Sequence, residues 1–170
     1  MRTGALLTTA LDYLIVFLVI FLGVNYGMRY FLHTEYPLAV PISDSMKPTI
    51  NRYDLLIVRG VDPWELEVGD IIVFNAPWSR YPVVHRIVRI EVEGGELRFY
   101  TKGDAVPMED SGYRKASDIY GKVVYRIGLR PLGWLLLKLK DPAVRIFLLA
   151  CIAYMFIRDV YEKSKKKEGS

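Results

Sequence analysis

The hydrophobic pattern divides the chain into two apolar ends and a middle of short alternating runs. Residues 4–28 are apolar at most positions, with Asp12 as their only ionised side chain, and 13–24 are unbroken apolar sequence. A helix crossing a bilayer needs roughly 20 apolar residues. This stretch reaches that length with Asp12 near a headgroup or beside a polar partner. A cleavable leader has a shorter apolar core ending in small residues, whereas Phe17, Phe21, Tyr26 and Tyr30 continue this run with no Ala-x-Ala exit. The expectation is a retained transmembrane anchor. The second apolar stretch, 142–157, is interrupted by Arg145 and followed by Arg158 and Asp159. It becomes long enough to span by extending back over Trp134 to Leu137 or by carrying Arg145 to the interface. The alternative is an amphipathic helix lying on the membrane surface. Asp141 and Pro142 supply a helix cap and a first-turn proline.

Between these ends, residues 54–58, 69–74, 83–92, 96–102 and 120–127 are short runs rich in branched and aromatic side chains, most of them bounded by Gly or Pro. Such runs predict strands. Glu93-Gly94-Gly95-Glu96 predicts a tight hairpin, because two glycines accept the positive backbone angles it needs. No helix-length segment separates consecutive strands, so the expected fold is mainly β, a small antiparallel sheet or barrel flanked by N- and C-terminal transmembrane helices. The expected division is an anchor over 1–32, a β-rich domain over 33–133, a hydrophobic helix over 134–160 and a basic tail over 161–170.

Charge refines this picture. Lys163, Lys165, Lys166 and Lys167, with Arg158, mark the C-terminal end as cytoplasmic, and Arg2 marks the N-terminus the same way. Both ends then lie inside and the β-rich domain faces out; Lys138 and Lys140 oppose this assignment, and Asp141 partly offsets them. The net charge of +4 over 170 residues comes largely from the tail. Acidic residues interrupt the basic ones through the domain, which excludes a nucleic-acid partner. The single cysteine, Cys151, cannot form an internal disulfide, and no Cys/His spacing suggests zinc. No metal and no cofactor are expected.

The candidate chemistry lies in three places. Residues 41–49 place Ser43, Asp44 and Ser45 together between two prolines, which restrict the backbone of the residues before them. Ser and Asp beside Pro are also ordinary turn chemistry. His85 lies in an apolar strand with Val83 and Ile87 on its own face, where it is either a core residue or a base. Asp104 and Asp110 follow in the stretch 102–110. A serine hydroxyl attacks at neutral pH only where a base takes its proton. His33, at the outer end of the first apolar segment, is better explained as an interfacial residue. Asp54 and Asp70 precede apolar strands and are expected to be structural. Met46 is expected to pack beneath the serine loop. Trp64, Phe74, Trp78 and Tyr81 are either core residues or rest in a headgroup layer.

Ser43-Asp44-Ser45-Met46-Lys47-Pro48, His85 and the Gly103-Asp104 to Asp110 stretch together resemble type I signal peptidases of the archaeal and endoplasmic-reticulum branch, in which the base is His. The resemblance covers about residues 38–126 in its motifs. It implies a membrane serine endopeptidase that removes signal peptides from exported preproteins, with Ser45 as nucleophile, His85 as general base, Asp110 as the acid that orients it and Asp104 in support. It also implies an oxyanion hole formed by Ser43 and the Ser45 backbone. The family commonly has Asn after the Gly-Asp pair, but Ala105-Val106-Pro107 follow here, which puts the geometry of Asp104 in question. Val40 and Ile42 beside the serine, and Pro82, Val83 and Val84 beside the histidine, are candidate walls of a groove for an extended peptide. The partners implied are secretory preproteins, the lipid bilayer, and other signal-peptidase-complex or translocon subunits. The membrane implied is the plasma membrane with the domain outside, or the endoplasmic-reticulum membrane with the domain in the lumen. Two other readings stand beside this one. The first is a membrane-tethered binding or scaffold module in which Ser, His and Asp are structural. The second is a self-processing serine protease of related fold with a lysine base; Lys102 and Lys115 do not occupy the matching strand position.

Overall fold

A computed structural model of the chain describes residues 15–16, 19–20, 22–24 and 26–168. Helix α1 comprises the helical residues among these up to residue 32. Seven strands follow: β1 (Leu38–Ala39), β2 (Leu55–Arg59), β3 (Ile71–Phe74), β4 (Val83–Glu93), β5 (Glu96–Lys102), β6 (Arg114–Lys115) and β7 (Ile119–Ile127). Helices α2 (Arg130–Lys140) and α3 (Pro142–Glu168) end the chain.

All seven strands belong to one sheet in the order β1-β2-β7-β3-β4-β5-β6, and each neighbouring pair is antiparallel. The expected strands are present with boundaries displaced by a residue or two. The hairpin forms as expected: Glu93 faces Glu96, and Gly94 and Gly95 have φ of 61° and 83°, a conformation that L side chains rarely adopt. Register shifts at Ile57/Val58, Val73/Phe74 and Ile87/Arg89 increase the local twist, which curls the sheet into a half-barrel.

Alternation along the strands sends side chains to two apolar clusters. Ile72, Phe74, Ile87 and Phe99, with Leu66 and Ala76, form the larger one. Met46, Ile50 and Leu56 form the other, with Ile71, Val84 and Val123 packed against them. Met46 and Ile50 come from the serine loop itself, so burial of their side chains pins that loop to the sheet. Helix α2 packs on the same end of the domain: a Cβ added at Gly133 would lie 2.1 Å from the Tyr53 carbonyl oxygen and 3.3 Å from Val40. Asp54 is buried, accepting hydrogen bonds from the Asn51 N–H at 2.9 Å and from Arg126 at 3.1 Å, and Asp70 pairs with Lys122 at 2.6 Å.

The two apolar ends are described only in part. The anchor expected over 4–28 lies largely outside the described residues. The stretch 142–157 is helical, yet among the described residues no helix is long and apolar enough to cross a membrane. The physical reason is charge: Arg145 stands in the first turn of α3, and Arg158 and Asp159 close its apolar run before a span is completed. The helix also continues to Glu168, through the basic stretch expected to be a tail.

Phe99 is fully enclosed, while Val92 on the hairpin is 60% exposed. Phe99→Ala is expected to cost about 3–5 kcal/mol and Val92→Ala no more than about 0.5 kcal/mol. Urea denaturation of the two variants beside wild type measures both values.

Candidate functional site

Three loops and strands that are distant in sequence meet at the start of β4. The serine loop leaves β1 and is held by backbone bonds from the Tyr53 N–H to the Pro41 carbonyl at 2.9 Å and from the Ile50 N–H to the Met46 carbonyl at 2.9 Å. The turn after β5 crosses it, where the Ala105 N–H donates to the Ser45 carbonyl at 2.8 Å. The Asp110 N–H donates to the Thr101 carbonyl at 2.8 Å, which returns the chain alongside β5. His85 is on β4 opposite Ile72.

These supports place Ser45, His85 and Asp110 in one hydrogen-bonded series. His85 Nε2 lies 3.1 Å from Ser45 Oγ and Nδ1 lies 2.6 Å from Asp110 Oδ2. Imidazole and carboxylate are both largely enclosed, with 9% and 11% of their side chains exposed. Burial opposes ionisation of Asp110 most strongly, but hydrogen bonds from His85 and Thr101, with the charges of His85 and Arg114, hold its carboxyl below the usual carboxylate value of 3.8. An ionised Asp110 accepts the Nδ1–H and so leaves the Nε2 lone pair facing the serine hydroxyl. Ser43 Oγ lies 3.2 Å from Ser45 Oγ, so the two hydroxyls share one small volume.

Asp104 is close to this series but outside it. Its carboxylate takes two parallel hydrogen bonds from Arg86, 2.8 Å from Nε and 2.6 Å from Nη2. Arg86 also donates to the Gly69 carbonyl at 2.7 Å and to Thr49 at 3.3 Å, which ties the serine loop, β4 and the 103–105 turn together. In place of the Asn that commonly follows the Gly-Asp pair, two backbone donors brace this turn: Ala105 to Ser45 and Val106 to Gly103.

Among the groove candidates, Ile42 is half exposed and Val40 is partly buried beside Gly133. Pro82, Val83 and Val84 are also partly buried; Val83 packs on the larger cluster and Val84 on the smaller. Val83 and Val84 pair with β3, but the β5 ladder starts only at Arg86. His33 lies away from the series, stacked on Tyr30 with ring centres 6.5 Å apart. Phe74 is core, whereas Trp64, Trp78 and Tyr81 are at least half exposed.

Several contributors were not identified from sequence. Thr101 donates to Asp110 Oδ2 at 2.7 Å; its one sequence signal is its even spacing from Phe99 on a strand whose inner face is apolar. Gly103 is a glycine because of space: a Cβ there would lie 2.7 Å from the Ser45 carbonyl oxygen and 3.0 Å from His85 Nε2. Arg86 and Arg114 look like ordinary strand arginines until the fold places them.

A hydroxyl aligned with an imidazole that is backed by a buried carboxylate is the arrangement with which serine hydrolases activate an alcohol. The family described as signal peptidase, peptidase S26 matches residues 11–124, and the chain belongs to that family. It is 33% identical over 90 residues to the human signal peptidase complex catalytic subunit SEC11C, covering 52% of this chain and 47% of that protein. The dog protein of the same name gives the same values. The SEC11 catalytic subunit of the fungus Metarhizium acridum is 36% identical over 106 residues, 58% of this chain and 62% of the relative. The chain thus spans about half the length of the mammalian curated relatives it matches.

The hydrogen bonds from Arg86 are the largest influence on Asp104, and with help from Thr49 they lower its carboxyl below the usual 3.8 against the effect of burial. A carboxylate with a lowered folded-state pKa contributes stability that is complete above the unfolded value and lost as pH falls through the folded one. Asp104→Asn is therefore expected to lower Tm near neutrality and to show a shallower loss of Tm below about pH 4 than wild type. Thermal melts from pH 7 down to pH 3 test this; curves that stay parallel through the acid range contradict it.

Proposed function

We propose that the chain is a serine endopeptidase that removes N-terminal signal peptides from exported preproteins. The observation that carries this reading is the hydrogen-bonded series Ser45–His85–Asp110 in a chain of the signal peptidase family. Ser45 Oγ attacks the scissile carbonyl as His85 Nε2 takes its proton. Asp110 holds the ring in the required tautomer and balances the imidazolium. The developing oxyanion is met by the Ser45 N–H and the Ser43 hydroxyl. His85 then passes the proton to the leaving amine, and water, deprotonated by the same imidazole, releases the acyl group from Ser45. Asp104 supports the site through Arg86, keeping the 103–105 turn against the serine loop. The residues present suffice for this sequence of steps.

The substrate runs as an extended strand between two walls, Val40 and Ile42 on one side and Pro82, Val83 and Val84 on the other. Support comes from β4, whose backbone before Arg86 lacks a β5 neighbour and can take up an added strand. Branched side chains on both walls leave shallow pockets suited to alanine-sized residues.

A membrane setting follows from this substrate. Residues 4–28 anchor the domain, and the apolar side chains of α2 and α3 rest in lipid. Trp134 and Leu135 on α2 are nearly half exposed in the chain by itself, and Ile146, Phe147, Leu149 and Ile152 on α3 are largely exposed. The β domain faces away from the cytoplasm, outside the cell or in the lumen of the endoplasmic reticulum. Its partners are secretory preproteins and other subunits of a signal peptidase complex.

Cleavage of a signal-bearing preprotein by purified protein tests the reading. Ser45→Ala and His85→Ala are each expected to lower kcat by about 10⁴-fold or more, and Ser43→Ala by about 10²–10³-fold. Folded Ser45→Ala protein that cleaves at the wild-type rate overturns it. Gly103→Ala is expected to stay folded and lose at least about tenfold in kcat, because the new methyl group separates Ser45 from His85; wild-type kcat in that variant contradicts the close packing on which the site depends.

A further inference from the structure

Arg114 begins β6, and only 3% of the residue is exposed. A guanidinium carries five N–H donors and no acceptor. Here Nη2 donates to the Ser111 carbonyl at 2.5 Å, and Nε is buried without a hydrogen-bond partner. Aromatic rings cover the group instead, with its Cζ 4.5 Å from the centre of the Trp78 ring and 5.6 Å from that of Phe74. Enclosing a cation with so few donors satisfied is costly unless a nearby anion offsets it.

Two carboxylates act on this charge, Asp110 and Asp118. Asp118 already accepts from the Lys115 N–H at 2.9 Å. Asp110 is the residue before Ser111, whose carbonyl Arg114 holds, and Phe74 makes an edge contact with the His85 ring at 6.3 Å between centres. The guanidinium therefore touches both the turn that carries the acid and the ring that packs against the base.

We propose that Arg114 is a positioning residue: a cation fixed behind Asp110 that keeps the carboxylate ionised and its turn in place, and that disfavours protonation of His85 by solvent before substrate is bound. The catalytic part of this statement rests on the proposed serine-protease reading. Asp110 is hydrogen-bonded by His85 from β4 and Thr101 from β5, and the charge of Arg114, which holds the next residue's carbonyl from β6, acts on it. His85 is faced by Ser45 and Asp110 and, at longer range, by Asp104, which Arg86 neutralises. With neutral imidazole, Asp110 and Arg114 cancel; with imidazolium, the three groups together carry an excess positive charge. Arg114 is almost fully enclosed, with the Trp78 ring over its guanidinium, so little solvent reaches the cation to screen it. Removing the cation therefore favours imidazolium and moves its appearance to higher pH.

The test follows the His85 ring resonances by NMR as pH is varied, and the pH profile of kcat/KM alongside, in wild type, Arg114→Met, Arg114→Lys and Trp78→Ala. In Arg114→Met both the ring transition and the acid limb are expected to move up by roughly half a pH unit or more. Arg114→Lys, which keeps the charge, restores most of the difference. A purely structural arginine would lower the plateau without moving the transition, so a folded Arg114→Met protein with an unmoved transition overturns the proposal. If Arg114→Met does not fold, Trp78→Ala decides: admitting water to screen the cation shifts the transition the same way, and no shift overturns the proposal. The NMR readout does not need turnover. Absence of Ser45-dependent cleavage by wild type would therefore count against the protease reading and leave the Arg114 result to stand or fall separately.

Discussion

The site depends on a close approach of two backbone segments. The serine loop and the turn after β5 meet across the start of β4, joined by the bond from the Ala105 N–H to the Ser45 carbonyl. That approach requires a residue without a side chain at position 103, since a Cβ there would press on both the Ser45 carbonyl and His85 Nε2. Every other feature of the site is arranged around this contact. Met46 and Ile50 draw the loop down into an apolar cluster, Arg86 ties it to the turn through Asp104 and Thr49, and His85 lies where the two segments meet.

Electrostatics then favour the ionised form of Asp110. Largely enclosed, the Asp110 carboxyl would favour its neutral form, but donors from His85 and Thr101 and the charges of His85 and Arg114 reverse that preference. The ionised carboxylate fixes the hydrogen on Nδ1 and turns the other nitrogen toward the hydroxyl. Asp104 has a different task. Its charge is matched by a forked guanidinium, so it contributes a brace without adding net charge beside the imidazole.

Much of this was legible in the sequence, for identifiable reasons. The long strands were, because Val, Ile, Phe and Tyr alternate between Gly and Pro breaks, and the 93–96 hairpin was, because two glycines in a row have few other uses. Strands β1 and β6 have two residues each, too few for a periodic signal. Helix α2 was read as part of a longer apolar segment, since Trp134 to Leu137 are uniformly apolar and only packing of Gly133 on Tyr53 reveals a separate helix. In the site, Ser45, His85 and Asp110 were legible through their motif. Thr101, Arg86 and Arg114 were not, and Gly103 was legible only as part of the motif, because their roles in packing exist only once distant segments touch. The charges at 145, 158 and 159 were visible as breaks in the apolar run, and among the described residues no helix is long and apolar enough to cross a membrane.

The central claim is that His85 and Asp110 act as one unit on Ser45. The most direct measurement is a double-mutant cycle on preprotein cleavage with His85→Ala, Asp110→Asn and the two combined. The account predicts that Asp110→Asn is severe alone and adds almost nothing once His85 is absent, because the carboxylate works only through the ring. The same fold-loss from Asp110→Asn in both backgrounds would contradict it.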